Sequence, residues 1–545
     1  LNTEAISSVD LYKGSIPAQY GGKLSSVMNI TIKDGNRSDF KIGGGVSMLS
    51  SHLNVEGPHS TKGSFFFSYR RAYYDYLLAL FAEEQQGDAK KAFEDSEFAF
   101  SDLLFKANYA LGKSDNFIYN MSLGSDDLMM LRSSGGLRMK LTWKNIGTQL
   151  RWTSVWSNTL FSETALKYSF YSSDYDDRME VPYLQRHPKV DHYAISSKWM
   201  YNPSKDLRFH TGLEYAFKTF SGKMKDRSVF SSYSTDIKEL RHFFDVDYHI
   251  NENIEVNLGA HALFFENEHF LEPRVSSRFK LSESAQVKFS YTNMIQPIHG
   301  LTDAQLHDPA QFYYPSNSVL KPESSENSSV AYEKQYESSF IQVEAYYRHF
   351  SDLQMLKEKL RSLESATLQN KLSIGKGTSY GLEFYGEKSV GNFTGWLSYS
   401  YNITTYLFPD INNGKSFFPK FQKPHQLNIV LNYHWKDTWK FGLAGQLASG
   451  TLLSKPTGSY YYYGQQLYRF GSMHNTRTGM NYRIDINFRH LFKAWNAQWE
   501  LYLSCYNILW SPNPLVSYYK NTGNGNELRT ISIGMVPTAG IKFSF

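Results

Sequence analysis

Residues 482–489 read YRIDINFR. Tyr482, Ile484, Ile486 and Phe488 fall on one side of an extended chain, with Arg483, Asp485, Asn487 and Arg489 on the other, because successive side chains of a strand point to opposite faces. The same alternation runs through 426–435, where Leu427, Ile429, Leu431, Tyr433 and Trp435 oppose Gln426, Asn428, Asn432 and His434. It recurs in 341–348, with Ile341, Val343, Ala345 and Tyr347 against Gln342, Glu344 and Arg348, and in 393–402, with Phe393, Leu397, Tyr399 and Tyr401 against Thr394, Ser398, Ser400 and Asn402. A soluble sandwich would bury the apolar face of such strands in a core of mainly Val, Ile and Leu. Here that face carries Tyr and Trp near the strand ends, the placement favoured at a membrane–water interface. Strands of about ten residues with one face for lipid and one for a polar lumen are the units of a transmembrane barrel.

The bulk composition points the same way. Aromatic residues make up 16% of the 545-residue chain, with 40 Tyr and 38 Phe, as aromatic girdles at two membrane interfaces require. Mean hydropathy is −0.47, and no uncharged apolar run reaches the roughly 18 residues of a spanning helix. The net charge of +5 is small for this length, and without a basic cluster nucleic acid is not an expected partner. Cys505 is the single cysteine, which excludes an intrachain disulfide framework and a multi-cysteine zinc site. The chain opens on Leu1 without a signal peptide. An exported barrel needs one, so the expectation is the C-terminal part of a longer precursor.

Connections alternate between short and long. Short ones include 112–114, 156–158, 202–204, 250–252, 436–437 and 493–494; long ones fall near 76–97, 177–186, 221–236, 295–323, 351–376, 405–423, 450–478 and 510–531. Short turns on one rim and long loops on the other describe a barrel with periplasmic and extracellular ends. Pairing the runs predicts an all-β fold, an antiparallel barrel of roughly 22 strands, a number typical of plugged transporters. The final GIKFSF, 540–545, alternates Ile541, Phe543 and Phe545 with Lys542 and Ser544. This strand must pair with the first, since an open edge in lipid leaves backbone groups unsatisfied. Its terminal Phe545 resembles the signal read by the barrel-assembly machinery of Gram-negative outer membranes.

Residues 6–34, ISSVDLYKGSIPAQYGGKLSSVMNITIKD, are not barrel-like. Two short strands flank a Gly/Pro-rich link from Gly14 to Gly22. The ordered string of a hydrophobic strand, Lys13-Gly14, Pro17-Ala18, Tyr20-Gly21 and a closing VMNITIK resembles the last segment of the plug domain of TonB-dependent receptors. GGGVSMLSSHLNVEGP (43–58), SFFFSYRRAYYD (64–75), WKNIGTQLRW (143–152), LKPESSEN (320–327) and NYRIDINFRH (481–490) resemble barrel segments of the same family. The nearest branch looks like the smaller receptors with a carboxypeptidase-regulatory-like N-terminal extension, with the longer SusC-type importers less close. The resemblance implies a plug tail over 1–35 and a barrel over 36–545. It also implies a TonB-contacting segment upstream of Leu1 and the possibility of a surface lipoprotein partner.

No nucleophile elbow, phosphate-binding loop or HExxH pattern occurs, so no enzyme, no cofactor and no resident metal are expected. His187 and His192 beside Asp191, and the acidic group Asp174, Asp176 and Asp177, are read as solvated loop residues, the latter lacking the spacing of a calcium loop. Cys505 lies on the face of Trp499, Leu501 and Leu503, a small apolar residue facing lipid. Two aromatic loops are candidate ligand contacts: Phe312, Tyr313 and Tyr314, and Tyr460, Tyr461, Tyr462 and Tyr463. Tyrosine supplies a rigid contact face plus a hydroxyl, suited to a peptide, glycan or siderophore; packing of loop on loop is the alternative. Ala, Glu, Leu and Lys dominate 76–97, which predicts a short helix there. Glu344, Arg348, Arg483, Asp485, Arg489 and Glu500 are expected to face the lumen and the plug.

The expected function is active import across the Gram-negative outer membrane. By resemblance, the TonB complex pulls on the plug, drawing on the inner-membrane proton gradient. A passive porin-like channel and a scaffold for other envelope proteins are the alternatives.

Overall fold

The computed structural model describes residues 2–74, 96–132, 137–177, 184–226, 229–301, 312–317, 319–357, 368–462, 465–521 and 526–545. Among them, twenty-two antiparallel strands close a barrel. The first strand, Lys41–Ser47, pairs with the last, Val536–Ser544, from Gly43 opposite Ser544 to Ser47 opposite Gly540. Beyond that ladder the Phe545 N–H donates to the Ile42 carbonyl at 2.9 Å. Closure satisfies the edge that lipid could not. No described helix is long and apolar enough to cross a membrane.

The outer face follows the alternation. Leu150, Leu166, Ile195, Tyr215 and Leu240 stand opposite one another on five consecutive strands and are all exposed. Leu431, Leu443, Ile486 and Cys505 form another such row. Towards the rim of short turns, Trp156 stacks on Trp199 at 6.1 Å and Trp435 meets Trp439 at 6.4 Å. This is an aromatic girdle below an apolar belt.

Wall height is uneven. Val229–Asn251 runs for 23 residues and Leu207–Asp226 for 20, whereas Trp439–Ala448 and Ala497–Tyr506 have 10 each. The stretch 221–236, expected as a long loop, is strand at every described residue, with 227–228 outside them; of 177–186, likewise expected as a loop, residues 177 and 184–186 are strand and 178–183 lie outside the described residues. Strand pairing continues there on polar residues because nothing above the apolar belt requires the ladder to stop. His187, His192, Asp191, Asp174 and Asp176 therefore sit on strands, not on loops. The helix expected in 76–97 falls almost wholly on residues 75–95, outside the described ones.

Three other connections form hairpins apart from the barrel sheet: Ile298–Leu301 with Phe312–Pro315, Pro456–Tyr462 with Gln465–Phe470, and Pro514–Asn521 with Asn526–Ser532. The first folds inward. Tyr313 packs on a buried cluster of Phe220, Ile237, Leu263, Phe265 and Ile295 from the inner wall.

Candidate functional site

Residues 2–36 cross the lumen and bond to strands around the wall. A hairpin of Ile6–Tyr12 and Val27–Ile32 leads this segment, with its link between. At the start, the Asn2 backbone N–H donates to Asp102 at 3.0 Å and its side chain to Asn54 and Ser68. Glu4 lies 2.5 Å from Lys542 and 3.2 Å from His52. The hydrogen bond with His52, aided by the Lys542 ammonium, outweighs burial and lowers Glu4 to about 2. At the end of the segment, Lys106 donates to the Ile32 carbonyl and pairs with Asp34 at 2.8 Å.

The link is held by a buried charged cluster. Both Asp245 oxygens accept from the Ala18 N–H, at 3.0 and 3.3 Å. Arg274 donates to the carbonyls of Ile16 at 3.2 Å and Pro17 at 2.5 Å. Glu272, fully buried, orients Arg274 at 3.2 Å and meets His261 at 2.8 Å. One step along the wall, buried Glu239 takes Lys218 and Arg241, each at 2.6 Å. Burying so many ions requires partners, and each finds one in its neighbour or in the link backbone. Two glycines fit this seat. A Cβ on Gly21 would collide with the His261 ring, and Gly22 takes φ +81° beside Arg241, a conformation only glycine adopts freely. Further along, Ser325 donates to the Leu24 carbonyl at 2.6 Å.

Leu24 also ties the segment to the outer loops. It packs against buried Leu353, Phe408, Ile411, Phe417 and Met473. Two of those loops are joined: the Met473 N–H donates to Asn412 at 3.0 Å and His474 donates to the Phe418 carbonyl at 2.6 Å.

The residues named from sequence distribute as follows. The Glu344 carboxylate lies beside Gly14, where a Cβ would stand 3.2 Å from it. Neighbouring Lys13 pairs with Glu383 at 2.8 Å. Arg348 stacks its guanidinium 4.8 Å from the Tyr346 ring. Arg483 and Asp485 pair at 3.0 Å. Arg489 and Glu500, 3.9 Å apart, line an inner cavity of about 280 Å³ together with Asn2, Glu4, His52 and Lys542. Tyr313 meets Tyr171 edge-on at 5.3 Å. Tyr314 is 3% exposed and its hydroxyl donates to Gln354 at 3.1 Å, beneath the inward hairpin. Tyr460 is exposed near a hairpin tip. The side chains of Phe312, Tyr461 and Tyr462, and all of Tyr463, lie outside the described residues. The two tyrosine groups sit on different hairpins.

Asp245, Arg274, Glu272, His261, Glu239, Arg241 and Lys218 were not singled out from sequence. The available signal was charge on the inward parity of strands whose outward residues are Leu213, Tyr215, Leu240 and Phe244.

An apolar belt around a closed wall, with a polar interior spanned by its own N-terminal segment, defines an outer-membrane receptor barrel. The chain matches the family model described as TonB dependent receptor-like, beta-barrel, over residues 31–508. It belongs to the TonB-dependent receptor family, whose members are transport receptors rather than enzymes. The protein is thus an outer-membrane β-barrel of ligand import. No curated protein matches it in sequence. Among solved structures it is similar to the ferripyoverdine receptor of Pseudomonas aeruginosa, with a TM-score of 0.70 and 12% identity, covering 98% of this chain and 76% of that one. It is also similar to the ferric yersiniabactin uptake receptor FyuA of Yersinia pestis (TM-score 0.72, 12% identity, 99% and 85% covered). The outer membrane transporter YddB of Escherichia coli gives a TM-score of 0.72 at 9% identity, with 100% and 85% covered.

Proposed function

We propose that the protein imports its ligand actively, with the TonB complex supplying force from the periplasmic side. In this reading residues 1–35 are the closing segment of a plug and 36–545 the barrel around it. The observation that carries it is the seat of residues 2–36. This segment spans the lumen on hydrogen bonds and ion pairs, interactions that water can replace when the segment is displaced. A passive channel has no use for such a seat. Leu24 supplies a route from ligand to plug, since the loop cluster of Phe408, Phe417 and Met473 rests on it. Ligand closing those loops shifts the packing on the plug tail.

The ligand class we favour is a siderophore-sized molecule with aromatic or amide groups. The support is the tyrosine-bearing mouth, with Tyr313 on Tyr171 and exposed Tyr460, and the resemblance to two iron–siderophore receptors. Phe312, Tyr461, Tyr462 and Tyr463 belong to the same proposed contact surface; Tyr314 supports it from below. Glu344, Arg348, Arg483, Asp485, Arg489 and Glu500 serve the plug rather than the ligand.

The test is accumulation of a panel of labelled ferric siderophores by cells expressing the full-length protein. Uptake should fall to background when TonB is deleted or the proton gradient is collapsed, with surface binding retained. Uptake that persists in both conditions would identify a passive channel.

A further inference from the structure

We propose that Glu4 staples the barrel's closing seam from inside, so that drawing residues 2–36 out of the lumen also loosens the wall where the first strand meets the last. The seam is thin. Its ladder runs over five residues, from Gly43 opposite Ser544 to Ser47 opposite Gly540, against twenty between Leu207–Asp226 and Val229–Asn251. One backbone bond extends it at each end, from Phe545 to Ile42 and from Met48 to Ala539. Three of the five residues on the first strand are the consecutive glycines Gly43, Gly44 and Gly45. Cross-strand side-chain pairs supply much of a sheet's stability, and glycine brings none.

The staple fits a gap that Gly45 leaves. Gly45 stands opposite Lys542 of the last strand and opposite His52 of the second. All three positions face the lumen, since their neighbours Val46, Ile541 and Leu53 are exposed on the outer face. A Cβ on Gly45 would stand 2.7 Å from the His52 ring and 2.9 Å from the Lys542 stem, so the missing side chain lets the two approach across the first strand. The Glu4 carboxylate holds both at once, Lys542 at 2.5 Å and His52 at 3.2 Å. It thereby spans the last, first and second strands. Asn2 extends the hold sideways, with its side chain on Asn54 of the second strand and Ser68 of the third, and its N–H on Asp102 of the fourth.

Among the described residues the other carboxylate within reach of Lys542 is Glu500 at 3.7 Å. Glu500 sits on the penultimate strand, directly opposite Lys542. That pair lies on the far side of the last strand and does not cross the seam. The cavity of about 280 Å³ beside Glu4 is lined by polar side chains, Ser50, Asn487 and Ser504 among them. Water there can take over the bonds of Lys542 and His52 once Glu4 leaves. The loosening during transport rests on the import reading; the staple in the resting protein does not.

The test is hydrogen–deuterium exchange of purified full-length protein in detergent micelles, read by mass spectrometry on peptides covering 41–48 and 536–545. No energised membrane is present, so its outcome is independent of the uptake assay. Glu4→Gln should exchange roughly tenfold faster in both peptides and at the wild-type rate in Leu207–Asp226. Lys542→Gln, which removes the last strand's end of the bridge, should loosen the same peptides and keeps the test decisive if Glu4→Gln does not fold. Lys13→Gln, which breaks the segment's ion pair with Glu383 elsewhere on the wall, should leave the seam at the wild-type rate. Heat-modifiable gel migration shows whether each barrel is closed. In wild type, a urea series should release residues 2–36 to protease and unprotect the seam at the same concentration. The proposal is overturned if the closed Glu4→Gln barrel keeps wild-type exchange at the seam, if Lys13→Gln loosens the seam equally, or if urea releases the segment while the seam stays protected.

Discussion

The two faces of strand Leu207–Asp226 live in different solvents. Leu213 and Tyr215 point outward and are about half exposed; Glu214, between them, points inward and meets Lys167 at 2.6 Å. Further along, Lys218 is buried against Glu239. The outward face is specified by one requirement, to be apolar at a given height. The inward face is specified residue by residue, by what the N-terminal segment presents to it. The outer surface therefore tolerates exchange among apolar residues, whereas the inner one depends on individual partners.

Substitutions on the two faces should differ accordingly. Arg274→Ala removes the donor to Ile16 and Pro17 and strips the buried Glu272 of its guanidinium partner, leaving it His261 and the Ile295 N–H. Losing one partner of a buried ionic group costs about 3–5 kcal/mol. We expect residues 2–36 to become protease-sensitive while the barrel stays heat-modifiable; loss of both together would mean the two faces are not separable. On the outer face, Leu431→Arg or Ile486→Arg should cost about 2–4 kcal/mol at the bilayer midplane, read by refolding titrations into liposomes. Unchanged stability would place that row away from lipid. Gly21→Ala forces His261 aside and should destabilise the seat by about 1–3 kcal/mol, seen as faster proteolysis of the N-terminal segment.

The smallest effect is acid sensitivity at Glu4. Its carboxyl is lowered from 4.5 to about 2 in the folded protein. Its contribution is thus complete above pH 4.5 and is lost as the pH falls towards 2. Proteolysis of the N-terminal segment should accelerate across that window in wild type, and Glu4→Gln should remove this component.

The same contrast explains what could be read from sequence. The belt was legible because lipid imposes a period of two, so Tyr482 and Ile486 declare their face without knowledge of any partner. The strand number followed from that period. The inner seat was not legible. A charge on the inward parity looks the same whether it meets water, a neighbour or the plug, and the partners are remote, as Arg274 and Pro17 are, 257 residues apart. Glu344 and Glu500 stand out in the sequence because they alternate with an apolar face. Asp245 and Glu272 alternate with apolar neighbours in the same way, and nothing local sets them apart from other inward charges. Wall height was misjudged at 221–236 because polar residues in a paired strand above the membrane resemble a loop. Tyr314 shows the converse, an aromatic loop residue that is buried support.

The most direct measurement of whether the inner face holds the N-terminal segment across the lumen is ionic conductance in planar bilayers. The full-length protein and its Asp245→Asn/Arg274→Gln variant would be compared across a urea series. The account predicts a closed wild-type barrel and a variant that opens at lower urea and closes again on its removal. Equal opening of both proteins, or steady porin-like conductance of wild type without urea, would contradict it.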